Sequence, residues 1–466
     1  MKLVTVFVLL FAGLLCAQEN TVRSHGSALV FVRNSSAGDA SVQINAAIAA
    51  LPASGGTVDA SELSGAQTIS ETIFVGSMNK QVNLILGGAT FTGSVDPLIM
   101  IDRASTLETH TSTIIQQNNS SGVAVVLSGD GPQWITGGVF GSATISGPGS
   151  NTASVGVYVG GGTNSQNLST LSANQTELGA LRIQGFGVGV QFGNQAWSFS
   201  FFHTFIGSNG TGILVPNTVV NFGESISAFG MNVSGNTNEA LKIDAASSDW
   251  QIFGGSIDNN ANGTPFPQVN LNSSGTSVNI HWESYGTHYE DTTTGPPDTK
   301  NNIFVQDGSV IIHGGFIVLC RGLIGSAIYG TGISKIVVSG VHFGGYHNTP
   351  QPVSGAIGMG GPAVEVFATG NKYEFSYINH ILQDPNTTPG QFFTTDDGNG
   401  NVAVHTSGAV VAAGQTPAVA AGQIGLGSTT ANTASAGTQG PPPGQVVGYI
   451  IVNIGGTNYK VPYYGN

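Results

Sequence analysis

Phe205-Ile206-Gly207-Ser208-Asn209, Asn232-Val233-Ser234-Gly235-Asn236 and Ser256-Ile257-Asp258-Asn259-Asn260 decide how this chain is read. Aligned on their terminal asparagines, the three segments lie 27 and 24 residues apart, and each carries Ile or Val at its second position. A strand sends alternate side chains to opposite faces. Gly and Asn accept the left-handed conformations that sharp turns demand. A self-similar period near 25 residues therefore describes one coil of three short strands and three turns, stacked on the next coil. His281-Trp282-Glu283 continues the register, since Glu283 follows Asp258 by 25 residues, and Glu224 and Asp249 are also 25 apart.

Strand-like runs such as Val82-Asn83-Leu84-Ile85-Leu86, Gly212-Ile213-Leu214-Val215 and Ile336-Val337-Val338 carry the pattern from about Thr68 to about Gly345, room for about eleven coils. The expected fold is all-β, a right-handed single-stranded parallel β-helix over residues 39–355. Within it, Ile44, Ala47, Ile48 and Leu51 keep helical spacing over 39–51, with Asp39 or Ser41 as cap and Pro52 as terminator. That helix would plug the open end of the stack.

Composition agrees. Only 8 % of the 466 residues are charged, while Gly supplies 69. Helical domains need charged faces and tolerate Gly poorly, and disorder does not accommodate 40 % hydrophobic residues. A net charge of −13 with 12 basic residues excludes a phosphate-binding stripe, so nucleic acid is not an expected partner.

Lys2 followed by the apolar run Leu3–Leu15 and then Cys16-Ala17-Gln18 reads as a signal peptide over 1–17, cleaved after Ala17. The expected location is secreted or cell surface, with no membrane span. Loss of Cys16 leaves Cys320 as the only thiol and no internal disulfide. Residues 18–38 form an N-terminal segment, 356–408 strands and loops, 409–445 a low-complexity linker ending in Pro441-Pro442-Pro443, and 446–466 a terminal β-hairpin.

Ala37-Gly38-Asp39 through Val58 resembles the N-terminal lead-in of the pectate-lyase-like superfamily. Gly223-Glu224-Ser225-Ile226, Ser256-Ile257-Asp258-Asn259-Asn260 and Ile280-His281-Trp282-Glu283 resemble successive coils of tailspike-type polysaccharide depolymerases in that group. The resemblance covers roughly residues 30–345. It implies a secreted or surface protein acting on carbohydrate polymers, as a glycosidase or a polysaccharide lyase. A homotrimer is a candidate assembly.

Glycoside hydrolysis needs two carboxyl groups about 5–5.5 Å apart for retention or about 6.5–9.5 Å for inversion. Adjacent strands are about 4.8 Å apart, so outward residues one period apart meet that demand. Asp258 and Glu283 are the expected acid and base (or nucleophile), with Glu224 in support and Asp249 a further candidate above it. Their stacking would raise one pKa and keep that group protonated. Trp282, Tyr285 and Tyr289 would offer stacking surface for sugars, while His281 and His288 would bond hydroxyls. Glu290 and Asp291 add to the local density of carboxylates. The plainer reading makes each carboxylate a solvated turn residue.

A lyase would instead need Ca²⁺, Arg or Lys to neutralise a uronate, plus a base. The later coils offer only Arg182, Arg321, Lys242, Lys300 and Lys335. Asp396-Asp397-Gly398-Asn399-Gly400-Asn401 is the most calcium-like loop and reads better as a turn. His342 and His347 read as structural. No metal site and no cofactor are therefore expected, with Ca²⁺ reserved for the lyase reading. A third reading is a non-catalytic glycan-binding adhesin.

Overall fold

The computed structural model describes residues 28–33, 39–131, 136–161, 171–219, 222–244, 248–261, 264–272, 280–291, 301–319, 326–345, 355–361 and 363–373, with strands at 381–383, 391–394, 403–404, 424–426, 446–454 and 457–464. Three long sheets dominate. Sheet A has 15 strands, from Leu29–Phe31 to Ala403–Val404. Sheet B has 12, from Gly65–Ile69 to Lys372–Tyr373, and sheet C has 12, from Ile73–Val75 to Ile381–Gln383. The chain visits A, B and C in turn on every coil, and within these sheets each strand pairs in parallel with its counterparts above and below, the last pair of sheet A excepted. It is a parallel β-helix, wound in the right-handed sense that parallel crossovers take.

Alternation explains the sheets. In Ser248–Phe253 and Ile280–Tyr285, Trp250, Ile252 and Trp282 are buried, while Asp249, Gln251, His281 and Glu283 are only partly so. Inward rings interlock edge to face, with Phe192 lying 5.2 Å from Phe199 and 5.7 Å from Trp250. The turn from A to B is short. At Gly255, φ is 75° and a Cβ would stand 2.1 Å from the Met231 carbonyl oxygen, so only Gly fits.

The turn from B to C carries a ladder of buried asparagines. Asn209 Nδ2 donates to Asn236 Oδ1 at 3.1 Å, and Asn236 Nδ2 donates to Asn260 Oδ1 at 2.7 Å. Gln268 completes it, accepting from Asn260 Nδ2 at 3.1 Å.

The helix is Ala40–Ala50, with Asp39 as N-cap accepting from the Ser41 and Val42 amides. Ile44, Ala47 and Ile48 face the strands of the first coil, and Lys80 Nζ donates to the Ile48 carbonyl at 2.9 Å. The helix therefore closes the first coil.

Several expectations change. The stack does not stop at 355, because Glu365–Thr369 and Ile381–Gln383 still pair in register. Ile424–Leu426, inside the expected linker, pairs with Val446–Ile454, which forms an antiparallel hairpin with Thr457–Tyr464. Asn232–Ser234 does lie under Ser256–Asp258, but the next strand on that face is His288–Asp291, not His281-Trp282-Glu283. Residues 1–27, Cys320, Arg321, Lys300, His347 and Asp396–Asn401 lie outside the described residues. Among the described residues, no helix is long and apolar enough to cross a membrane.

Candidate functional site

The register separates the expected catalytic pair. Glu283 projects from sheet A opposite Gln251 and Ile311, whereas Asp258 projects from sheet B opposite Ser234 and Glu290. They belong to different faces of the coil and do not stack. Trp282 cannot contact a ligand either. It is fully buried, its indole N–H donating to Tyr289 Oη at 3.1 Å. Tyr289 is equally buried, and that burial pushes its hydroxyl up to about 12. Glu224 is exposed in the turn before Ile226–Phe229, where the Asp249 amide donates to the Gly223 carbonyl at 2.7 Å, the bond that in this parallel stack brings Glu224 level with Asp249.

What the structure does assemble is a cluster around Glu283 on sheet A. Tyr285 Oη donates to Glu283 Oε1 at 2.5 Å. His313 Nε2 stands 3.4 Å from that same oxygen, and His281 Nε2 stands 3.6 Å from Oε2. Each imidazole is held from behind, His281 Nδ1 by Ser309 Oγ at 2.7 Å and His313 Nδ1 by Ser339 Oγ at 2.9 Å. His281 Nε2 also lies 4.0 Å from Asp249 Oδ1. Both carboxylates therefore reach one nitrogen through legs of 4.0 and 3.6 Å, which keeps those oxygens within about 7.6 Å of each other.

Burial pushes the Glu283 pKa upward. Donation from Tyr285 and His281 and the charges of His281 and His313 outweigh it, and the carboxyl sits below its ordinary range. The same hydrogen bond raises Tyr285, aided by its burial and the Glu283 charge, so its proton is retained. A folded-state pKa below the unfolded value stabilises above about pH 4.3 and is lost as pH falls through the depressed folded value. Thermal melts between about pH 6 and 3 should thus fall more steeply for the native protein than for Glu283→Gln, which has no carboxylate to titrate. Equal slopes would remove Glu283 from the acid response.

Tyr285 contributes a hydroxyl rather than a stacking face. Its ring is stacked 5.1 Å from Phe253 on one side and 5.0 Å from His313 on the other. Phe202, Phe229 and Phe253 continue this ladder at 5.1 and 5.0 Å, so the inner faces of these rings are covered by one another. Their edges line one side of the sheet A surface.

Beside the ladder runs a polar column. Glu177, Ser200, Ser227, Gln251 and Glu283 oppose one another on successive strands. Glu177 and Ser200 also line a cavity of about 260 Å³ with Thr136, Gln175 and Ser198. Three to four strand spacings, about 14–19 Å, separate the Ser200 and Glu177 walls of that cavity from Glu283. It is too distant to share the chemistry of one bond.

On sheet B, Asp258, His288 and Glu290 place a ligand atom each within 4.8 Å of one another. His288 therefore joins Asp258 rather than Glu283. Sequence reasoning missed His313, whose signal is its place one strand after Tyr285 in the ring ladder.

No protein-family model and no curated protein matches the sequence. Solved structures do, at low identity. The Geobacillus virus E2 ORF18 protein is similar at 12 % identity and TM-score 0.37, over 78 % of this chain and 60 % of its own. The Dettilon tailspike protein is similar at 13 % identity and TM-score 0.42, over 76 % of this chain and 68 % of its own. The A-module of the Azotobacter vinelandii mannuronan C-5 epimerase AlgE4 is similar at 12 % identity and TM-score 0.36, over 79 % of this chain and 96 % of its own. The chain thus spans about three fifths of the viral protein it matches.

Proposed function

We propose that this chain is an exported enzyme that hydrolyses a glycosidic bond in a polysaccharide of low charge, with Glu283 as the ionised base or nucleophile and Asp249 as the second carboxyl. One observation carries the reading: Glu283 is oriented by a tyrosine and two imidazoles, with a second carboxylate oxygen within about 7.6 Å. That ceiling covers retaining spacings and the shorter inverting ones. A depressed Glu283 suits the member of the pair that must be ionised, and Asp249 would hand the proton to the leaving oxygen. The polar column from Glu283 to the Glu177 cavity would bond the hydroxyls of several sugar units lying along the coil, with ring edges as the apolar rail.

Elimination from a uronate is the second reading. Tyr285 and the flanking imidazoles would serve as acid and base. Against it, the uronate carboxylate would face Asp249 and Glu283. The ammonium of Lys335, two strands beyond Glu283 on the same sheet, is placed over the Phe367 ring at 5.2 Å.

Incubation with a panel of neutral and acidic polysaccharides tests both. New reducing ends from a neutral polymer, without near-ultraviolet absorbance, are expected. An unsaturated product would transfer the site to the lyase reading, and binding without cleavage would leave the adhesin.

A further inference from the structure

We infer that Asp258, His288 and Glu290 form a site for one divalent transition-metal ion, of the Zn²⁺ or Mn²⁺ class, on the outer face of sheet B. The three residues sit on two neighbouring strands whose register is fixed, Ser256 opposite His288 and Asp258 opposite Glu290. One donor atom from each falls within 4.8 Å of the other two. Ligands about 2.1 Å from a tetrahedral ion are about 3.4 Å apart, so side-chain adjustment of about an ångström closes the set.

Three further features point to a cation. Like charges directly opposite one another on paired strands destabilise a sheet, and Asp258 and Glu290 are such a pair. Among the described residues neither makes an ion pair with Lys or Arg; the one contact of this kind is His288 Nε2 to Glu290 Oε2 at 3.4 Å. Asp258 is also divided in its bonding. Ser256 Oγ donates to its Oδ2, while Oδ1 is shielded from solvent and has no hydrogen-bond partner. His288 Nε2 is shielded and lacks a hydrogen bond in the same way. Buried polar atoms without partners are rare and call for an ion or a water. A serine that orients one carboxylate oxygen and leaves the other free is the outer-shell arrangement that metal ligands use.

The donor set selects the metal. Calcium takes six to eight oxygens, whereas one imidazole with two carboxylates suits zinc or manganese. With side chains 38 % and 27 % exposed, His288 and Glu290 leave room for water at the remaining positions. The ion would clamp two successive coils and cancel the repulsion across that rung. This site stands apart from the Glu283 cluster and does not depend on how that cluster acts.

Isothermal titration of the full chain, stripped with chelator, against ZnCl₂, MnCl₂ and CaCl₂ tests the site. One equivalent of Zn²⁺ or Mn²⁺ should bind at least about tenfold more tightly than Ca²⁺, and raise the melting temperature by mass action. Asp258→Asn, Glu290→Gln and His288→Gln should each weaken binding about tenfold or more, because each removes one of three ligands. Metal-free Asp258→Asn and Glu290→Gln should melt no lower than the metal-free native chain, since each relieves the repulsion. Should one variant fail to fold, the other two still read the site. No heat and no melting shift with either transition metal would overturn the proposal, as would equal Ca²⁺ affinity or variants that bind like the native chain.

Discussion

Replacing Glu283 with Gln is expected to slow the release of new reducing ends by about 10²–10⁴-fold, the range that a positioned acid or base contributes. Melting at neutral pH should fall only by the stability that the ionised carboxylate contributes there, leaving the fold intact. The side chain points outward, and an amide oxygen can still accept from Tyr285 Oη. What disappears is the charge that two imidazoles and a phenol are arranged to hold. Tyr285→Phe separates charge from packing. The ring keeps its stacking between Phe253 and His313, while Glu283 loses the donor that lowers its pKa. The acid limb of the pH–rate profile should then move to higher pH, because the ionised form has lost a stabilising bond. Full activity in Glu283→Gln, with its fold intact, would end the hydrolytic reading of this face.

The sequence disclosed the coil through its asparagines, for a physical reason. Asn209, Asn236 and Asn260 are constrained twice, by a tight turn and by bonding to one another, so their spacing is conserved from coil to coil in a way that solvent-facing residues are not. Extrapolating that spacing then misplaced the site. From Asn232 to Ser256 the step is 24 residues, but from Ser256 to His288 it is 32. Lengthening a loop costs only a logarithmic entropy, so a solenoid tolerates extra residues between strands that remain in register.

Spacing alone does not distinguish the two strands, because His281-Trp282-Glu283 and His288-Tyr289-Glu290 share one pattern, polar, aromatic, polar. Either fits a strand with its aromatic residue inside, and both in fact do so, on different sheets. The expected partner of Asp258 is Glu283, whereas the glutamate opposite it is Glu290. The same alternation keeps Trp282 off the ligand face, since the neighbours of an outward Glu283 point inward.

The asparagine ladder also sets where the fold is most fragile. Asn236→Ala is expected to cost about 2–5 kcal/mol, from the penalty of about 1–3 kcal/mol for each buried polar group left unbonded. Asn236 is 1 % exposed, and its Oδ1 accepts from the Asn209 amide at 2.9 Å while its Nδ2 donates to the Ile206 carbonyl at 3.3 Å and to Asn260 Oδ1 at 2.7 Å. Alanine takes the acceptor from both the backbone and side-chain N–H groups of Asn209 and a donor from the Ile206 carbonyl, in a space too enclosed to hydrate them freely, while Asn260 Oδ1 keeps only the bond from the Asn236 backbone amide at 3.1 Å. Ser234→Ala, two residues earlier on the outer face, should stay within about 0.5 kcal/mol. Asn236→Asp should be worse than alanine near neutral pH. It nearly preserves shape but sets an anionic oxygen against two acceptors, the Ile206 carbonyl and Asn260 Oδ1. Thermal and denaturant melts of the three variants order these costs. If Asn236→Ala melts with Ser234→Ala, the ladder does not hold the coils, and neighbouring strands are joined by their backbone and core alone.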